Sequence, residues 1–400
     1  METKELKKNN VYTAPIEGYS SEGFGVARIN GRAVFVPFAK KGQEYEIKIL
    51  KISNTACYGK LSSRPETDCP YFGICGGCQL RHLSYEEELE FKLEKVNSAL
   101  KRIGGQSVQA EKITGSDSIL RYRNKAVFNV QEDKFGFYRP RTHELIEIED
   151  CLLQKEEALR IAREVEKPGL NHIFIRDTVC TLAGPEYSGP IPSGITGLVL
   201  CNNRRENSII DGRFKTLWGS AEQEEALCGL KFIISPQSFF QVNPPQAEKL
   251  YFKALEYAGT GRQALELYCG AGTISMLLAR SFERVTAAEI VPEAIENAKR
   301  NAELNGVNNI DFICADAKDI KEKGADVVLV DPPRKGMSIE TISELKRIAA
   351  ERIVYVSCNP ATLARDIKLL EDEYELKKVE VFDMFPRTHH VETVVLMQKM

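Results

Sequence analysis

Two sets of cysteines have the surroundings to do chemistry. Cys358 closes the run Arg352-Ile-Val-Tyr-Val-Ser-Cys-Asn-Pro360, in which Ile353, Val354 and Val356 read as a buried strand that Asn359-Pro360 stops. A thiol at the carboxyl end of a strand in an open α/β sheet faces the ligand crevice, where its thiolate can act as a nucleophile. The competing reading is a small buried hydrophobe, the commoner fate of a free cysteine. The second set is Cys69, Cys75 and Cys78, with Gly76-Gly77 inside the last pair. Two thiolates two residues apart can face one metal centre, and the glycines let the backbone wrap tightly around it. Cys151 is the expected fourth ligand, because it follows the strand-like Glu144 to Ile148 and the acidic turn Glu149-Asp150. Zinc and an iron-sulphur cluster both accept four thiolates, and spacing does not separate them.

Carboxylates follow a different rhythm. The strand-like Ala264 to Tyr268 runs into Cys269-Gly-Ala-Gly272, and Thr273 to Arg280 continues as a helix. Glu289 ends the next strand, where a carboxylate can accept both hydroxyls of a ribose. A third strand leads to Asp316, placed to meet an adenine amino group, and a fourth delivers Asp331-Pro-Pro-Arg334, whose prolines fix the backbone. The glycine turn alone is weak evidence, since dinucleotide sites use the same device. Together with the two acids it resembles a class I S-adenosylmethionine methyltransferase more than a nicotinamide enzyme. Amino-group methyltransferases often carry a similar proline turn with an aromatic in fourth place; Arg334 stands there in this chain.

These residues need elements to hold them. From residue 246 strands alternate with helices, the pattern of a doubly wound parallel α/β sheet, and the last strand is too closely linked to its predecessor for a crossover helix, so it should run antiparallel. Residues 1–65 show short alternating runs separated by Gly23, Gly25, Gly31 and Gly42, as in a small OB-like barrel. They carry eleven Lys and Arg against six Glu, with Phe24 and Phe35 as aromatics for unpaired bases. Residues 66–245 form a β-rich central domain after an amphipathic helix from Tyr85 to Ile103. There Arg121, Arg123 and Lys125 would share one strand face, and residues 121–141 mix six basic and two acidic side chains with Tyr122, Phe128, Phe135, Phe137 and Tyr138, the mixture used to bind RNA. A plain solvated basic surface fits the charges almost as well.

Composition sets the frame. Hydrophobic content of 43%, charged content of 28% and a net charge of -3 describe an ordinary globular chain. No apolar run approaches the roughly 20 residues that span a bilayer, and the amino terminus lacks a signal core. The expectation is a cytoplasmic protein without a membrane role, in which eleven cysteines are thiols or ligands rather than disulfides.

The cysteine spacing, Ser235-Pro-Gln-Ser-Phe-Phe-Gln-Val-Asn-Pro244, Leu267-Tyr-Cys-Gly-Ala-Gly272, Asp331-Pro-Pro-Arg334, Ser357-Cys-Asn-Pro360 and His390-Val-Glu-Thr393 together resemble the RNA uracil-C5 methyltransferases along the whole chain. The resemblance implies a TRAM-type barrel over 1–65, a central domain with a 4Fe-4S cluster on Cys69, Cys75, Cys78 and Cys151 over 66–245, and a methyltransferase domain over 246–400. It implies S-adenosylmethionine held by Gln241, Tyr268, Glu289 and Asp331. It implies 5-methyluridine formation in RNA by a monomer, with 23S ribosomal RNA favoured over tRNA. In that chemistry Cys358 adds to C6 of the ring, and Glu392, set among Val391, Val394 and Val395, removes the C5 proton. Asn359 or Arg334 would donate to the developing enolate. The other readings are an amino-group nucleic-acid methyltransferase, which needs no thiol, and a catalytically inactive RNA-binding protein that carries a cluster.

Overall fold

The computed structural model describes residues 5–203 and 210–400. Strands Val11–Tyr19, Gly25–Ile29, Arg32–Val36, Glu44–Ile52 and Cys57–Leu61 close into a barrel. Period-two alternation sends Ala14, Ile16, Val34, Ile47 and Ile49 inward, all buried. Asn30 and Gly31 both take positive φ, 51° and 78°, the two-residue turn whose twist matches that of its strands. Phe24 and Phe35 are half-buried rather than exposed, and Phe35 leans on Tyr58 at 5.7 Å between rings. Neither offers bases the open platform expected of it.

The middle of the chain forms a seven-stranded sheet in the order Gly212–Gly219, Gly197–Asn203, Val179–Ala183, His172–Arg176, Lys125–Gln131, Lys134–Tyr138 and Leu145–Glu147. Helix Glu156–Glu164 covers one face with Leu159, Ile161 and Ala162. The expected basic ladder of Arg121, Arg123 and Lys125 does not form, because the strand begins only at Lys125. Arg121 turns away in a left-handed conformation, φ 53°, and its guanidinium grips Asp150 at 2.7 and 2.8 Å. Tyr122, Phe128 and Phe135 are buried in the core.

The third part is an eight-stranded sheet in the order Ile310–Cys314, Phe282–Glu289, Gly261–Leu267, Val327–Val330, Arg352–Ser357, Glu392–Lys399, Tyr374–Phe382 and Ile113–Thr114. The first five strands are parallel. Val327 to Val330 is apolar throughout because helices cover both faces of a parallel sheet. Glu392–Lys399 runs antiparallel to both neighbours, as its short connection demands. Helix Tyr85–Arg102 starts at a capping box in which Ser84 and Glu87 satisfy each other's backbone donors. It buries Val96 and Leu100 in the core of this sheet, against helix Pro360–Leu370. No helix among the described residues is long and apolar enough to cross a membrane.

Candidate active site

A cavity of about 970 Å³ is lined by the carboxyl ends of the parallel strands on one side and by Lys125, Val127 and Phe174 of the middle sheet on the other. Gln241, Tyr268, Glu289 and Asp331 all line it. Tyr268 leaves its strand at φ 67°, a left-handed conformation that non-glycine residues hold only where the surroundings enforce it, and such sites cluster around function. Gly272 follows at φ 80°; a Cβ there would sit 3.0 Å from Ala298 and 3.2 Å from the Phe312 ring, so only glycine lets the chain approach that closely. The turn brings the Gly270 N–H to Glu289, whose carboxylate accepts from Gly270 at 3.2 Å and from Val291 at 3.0 Å. Gln241 presents a buried side-chain oxygen with no partner.

The acidic wall of the cavity has one more member, Glu266, which sequence reasoning missed because it lies inside an apolar strand. Its carboxylate accepts from Ser275. Burial, aided by the charges of Asp331 and Glu289, pushes it up to about 8, and burial pushes Asp331 up to about 7. Carboxylates desolvated together favour a cationic ligand, because its charge restores what burial took away. Asp316 does not line this cavity; it caps the turn Ala317–Asp319, accepting from the Lys318 N–H at 3.2 Å.

Cys358 and Glu392 come together through the antiparallel pair. Ser357 stands opposite Thr393, so the next position along each strand sets Cys358 against Glu392. Cys358 is half-buried, and its thiol is pushed up to about 11 by burial and by the charges of Glu392 and Asp331, with Arg334 opposing. Glu392 is buried and its pKa raised well above the carboxylate range, by burial first and Asp331 second, again with Arg334 opposing. Neither residue lines the large cavity, but Asp331 does and acts on both. Arg334 reaches the His390 ring at 3.3 Å. Asn359 is committed elsewhere: its Nδ2 donates to the Arg334 carbonyl at 3.0 Å and its Oδ1 accepts the Ala361 N–H at 3.1 Å to start helix Pro360–Leu370. Of the two expected enolate donors, Arg334 is the one whose charge acts on both Cys358 and Glu392, with its Nη2 against the His390 ring.

Residues 229–400 match the family described as tRNA (Uracil-5-)-methyltransferase, and residues 5–61 match the TRAM domain. An uncharacterized RNA methyltransferase of Clostridium tetani is 39% identical, over 98% of this chain and 97% of its own. One of Clostridium acetobutylicum is 40% identical, over 98% of each. The solved structure of the Pyrococcus abyssi tRNA (uracil-54, C5)-methyltransferase in complex with S-adenosyl-L-homocysteine superposes with a TM-score of 0.81 at 29% identity, covering 96% of this chain and all of that one. The chain belongs to the RNA uracil-C5 methyltransferase family. It is an S-adenosylmethionine-dependent enzyme, and the cavity with its acidic wall fits a sulphonium donor.

In this methyltransferase the four cysteines expected to share a metal centre also gather. Cys69, Cys75, Cys78 and Cys151 line a second cavity of about 210 Å³ together with Tyr71, Phe137, Leu152 and Leu153. Burial and mutual charge push Cys75 up to about 11 and Cys78 up to about 12. Among the described residues no three His, Cys, Asp or Glu side chains close on one metal ion. Arg81, unforeseen from sequence, sits beside Cys78 and Cys69 and holds Asp68 at 2.6 and 2.9 Å.

Also unforeseen is a buried ionic group between this loop and the strands that end at Cys358 and begin at Glu392. Lys92, fully buried, donates to Glu88, to Asp383 and to the Phe385 carbonyl. Gln79 and Leu80, directly after Cys78, donate their N–H groups to the Arg387 carbonyl at 3.0 and 3.1 Å. Glu88 and Lys92 are spaced i, i+4 on the same helical face as the buried Phe91 and Val96, a pattern that marks a buried pair.

Proposed function

We propose that the enzyme methylates C5 of a uridine in RNA through a transient bond between Cys358 and C6 of the ring. Uracil C5 is a poor nucleophile, and addition of a thiolate at C6 drives the C5–C6 electron pair toward C5 and O4. Arg334, whose charge acts on both Cys358 and Glu392, would stabilise the charge at O4. S-adenosylmethionine supplies an electrophilic methyl on a sulphonium. C5 takes that methyl, and the sulphur keeps the bonding pair. Ionised Glu392 then accepts the C5 proton, the C–H electrons rebuild the C5–C6 double bond, and the Cys358 thiolate leaves. Residues Gln241, Tyr268, Glu289 and Asp331 hold the donor. The observation that carries this reading is the placement of Cys358 against Glu392 beside Asp331, a carboxylate that also lines the donor cavity.

The four cysteines that line one cavity would hold the 4Fe-4S cluster that the family resemblance implies, each thiolate on a different iron. Such a centre would stiffen the Cys69–Cys78 loop against the middle sheet.

The favoured substrate is 23S ribosomal RNA. A tRNA substrate is the second reading, favoured by the Pyrococcus abyssi tRNA methyltransferase that shares this fold at 29% identity. The test is Cys358→Ala with unmodified transcripts of both RNAs. Loss of 5-methyluridine and of any RNA adduct that survives denaturation is expected; full activity in that variant would overturn the covalent mechanism and favour an amino-group target.

A further inference from the structure

Helix Pro360–Leu370 starts directly after Cys358 and Asn359, and one of its faces is given to a neighbouring loop. Asn359, Thr362, Arg365 and Asp366 recur at three- and four-residue steps, so they stand along a single face. The loop they meet leaves the donor cavity at Asp331 and carries Arg334. The Arg334 carbonyl accepts from Asn359 Nδ2 at 3.0 Å and from Thr362 Oγ1 at 3.3 Å. Arg365 Nη2 donates to the Lys335 carbonyl at 3.1 Å and to the Met337 carbonyl at 3.0 Å. Gly336, at φ 73°, passes so close that a Cβ there would sit 2.6 Å from both Arg365 Nη2 and Asp366 Oδ2.

Asp366 is the carboxylate of that face, and it is 0% exposed. Its Oδ2 accepts the Met337 N–H at 2.8 Å and the Tyr355 hydroxyl at 2.9 Å. Its Oδ1 accepts Nε and Nη2 of Arg365 at 2.8 and 2.6 Å. A buried carboxylate is costly unless donors such as these offset it, so the groups that bind it are held in place together. Tyr355 is itself fully buried, on the strand that ends at Ser357, three positions before Cys358. A single oxygen thus joins the strand that delivers the thiol to the loop that delivers Arg334. Asp366 does not line the donor cavity, and no step of the reaction uses it.

We propose that Asp366 is a positioning residue for methyl transfer, holding the loop that carries Arg334 in register with the Cys358 thiol. The proposal rests on the reading of Cys358 as the nucleophile. Arg334 is the cation that opposes Glu392 and Asp331 at that thiol, and its charge counts only while the loop keeps it there. The other end of the loop has its own anchors. The Asp331 N–H points to the Leu267 carbonyl at 3.5 Å, and Pro332 and Pro333 fix the backbone that follows. The sheet therefore sets the acid on the donor side, and the helix after Cys358 sets the cation on the side of the thiol.

The test is Asp366→Asn in the full chain, which keeps the volume but turns one acceptor into a donor among donors. Alkylation of Cys358 by iodoacetamide, followed by peptide mass spectrometry, should slow roughly three- to tenfold at a fixed pH between about 7 and 9, because the thiolate loses its cation. Turnover on unmodified RNA transcripts should fall roughly 10- to 100-fold, as displaced catalytic groups do, while affinity for S-adenosylhomocysteine stays at the wild-type value. In an Arg334→Gln background the same substitution should slow alkylation no further. An unchanged alkylation rate or unchanged turnover in Asp366→Asn would overturn the proposal. So would a slowing that persists without Arg334, or a parallel loss of S-adenosylhomocysteine affinity, which would mean that the whole loop had collapsed. If Asp366→Asn does not fold, Arg365→Met, which removes the bonds to Lys335 and Met337 from an exposed side chain, decides by the same measurements. Alkylation is read without RNA, so its outcome is separable from a failure of the covalent reading, which Cys358→Ala reports.

Discussion

Arg387 donates its backbone N–H to the buried Glu88 carboxylate at 2.7 Å, across 299 positions of sequence. Arg387 holds φ at 70°, and its turn lies five residues before Glu392, so the helix that carries Glu88 and Lys92 sets where strand Glu392–Lys399 begins. Tyr85 completes the group by donating to Asp383 at 2.8 Å. Lys92→Met would leave Glu88 and Asp383 buried without their shared cation. The expected loss is about 3 to 5 kcal/mol, the range for breaking a buried ionic group from one side, read from the urea midpoint of the carboxyl-terminal sheet.

The cysteine loop meets the same turn. If a cluster on Cys69, Cys75, Cys78 and Cys151 stiffens that loop, Cys75→Ser should abolish visible thiolate-to-iron absorption in anaerobically prepared protein. It should also speed hydrogen exchange at Gln79 and Leu80, whose N–H groups are held by Arg387. Unchanged exchange in protein that has lost its absorption would separate the cluster from the turn.

A thiol pushed up to about 11 is mostly protonated at neutral pH. Because the thiolate is the reactive form, alkylation of Cys358 by iodoacetamide should rise about tenfold per unit of pH between 7 and 9. Peptide mass spectrometry follows this site apart from the other cysteines; a rate independent of pH would show a thiolate already formed.

In the proposed reaction the acid beside that thiol, Glu392, acts at the other end. Glu392→Gln keeps the shape and removes the base, so methyl transfer to C5 should go ahead while the adduct fails to resolve. Turnover should fall by roughly 10²- to 10⁴-fold, the usual contribution of a general base, with a methylated protein-RNA species visible on a denaturing gel. Loss of turnover without that species would assign the proton to another group.

Asp331 should make donor binding sensitive to pH and to charge. Its carboxyl is pushed up to about 7, so S-adenosylmethionine, a sulphonium cation, should bind more tightly as pH rises through 7 and the carboxylate ionises. S-adenosylhomocysteine has a neutral sulphur and should respond less. In Asp331→Asn the cation should lose about tenfold in affinity, roughly 1.4 kcal/mol, and the neutral product distinctly less, by titration calorimetry.

Much of this was legible one residue at a time. The Ile353 to Val356 strand, its stop at Asn359-Pro360 and the glycine turn before Gly272 follow from local rules, because side-chain direction repeats every two residues in a strand and every 3.6 in a helix. The same rules placed Cys358 at the end of a strand. They failed for Arg121, Arg123 and Lys125, where the alternation was read through a left-handed turn, and for Phe128 and Phe135, whose aromatic type is the same whether the ring stacks on a base or fills a core.

By itself, then, the sequence determined where strands and helices run and which residue types end each strand. Only the tertiary structure decided that Cys358 faces Glu392, that Glu88 holds Arg387, that Arg121 is neutralised by Asp150 and that Asp366 holds Met337. The physical reason is range. Burial patterns are written in neighbouring side chains, whereas the state of a charge depends on what the whole fold brings within a few ångströms of it, from any distance along the chain.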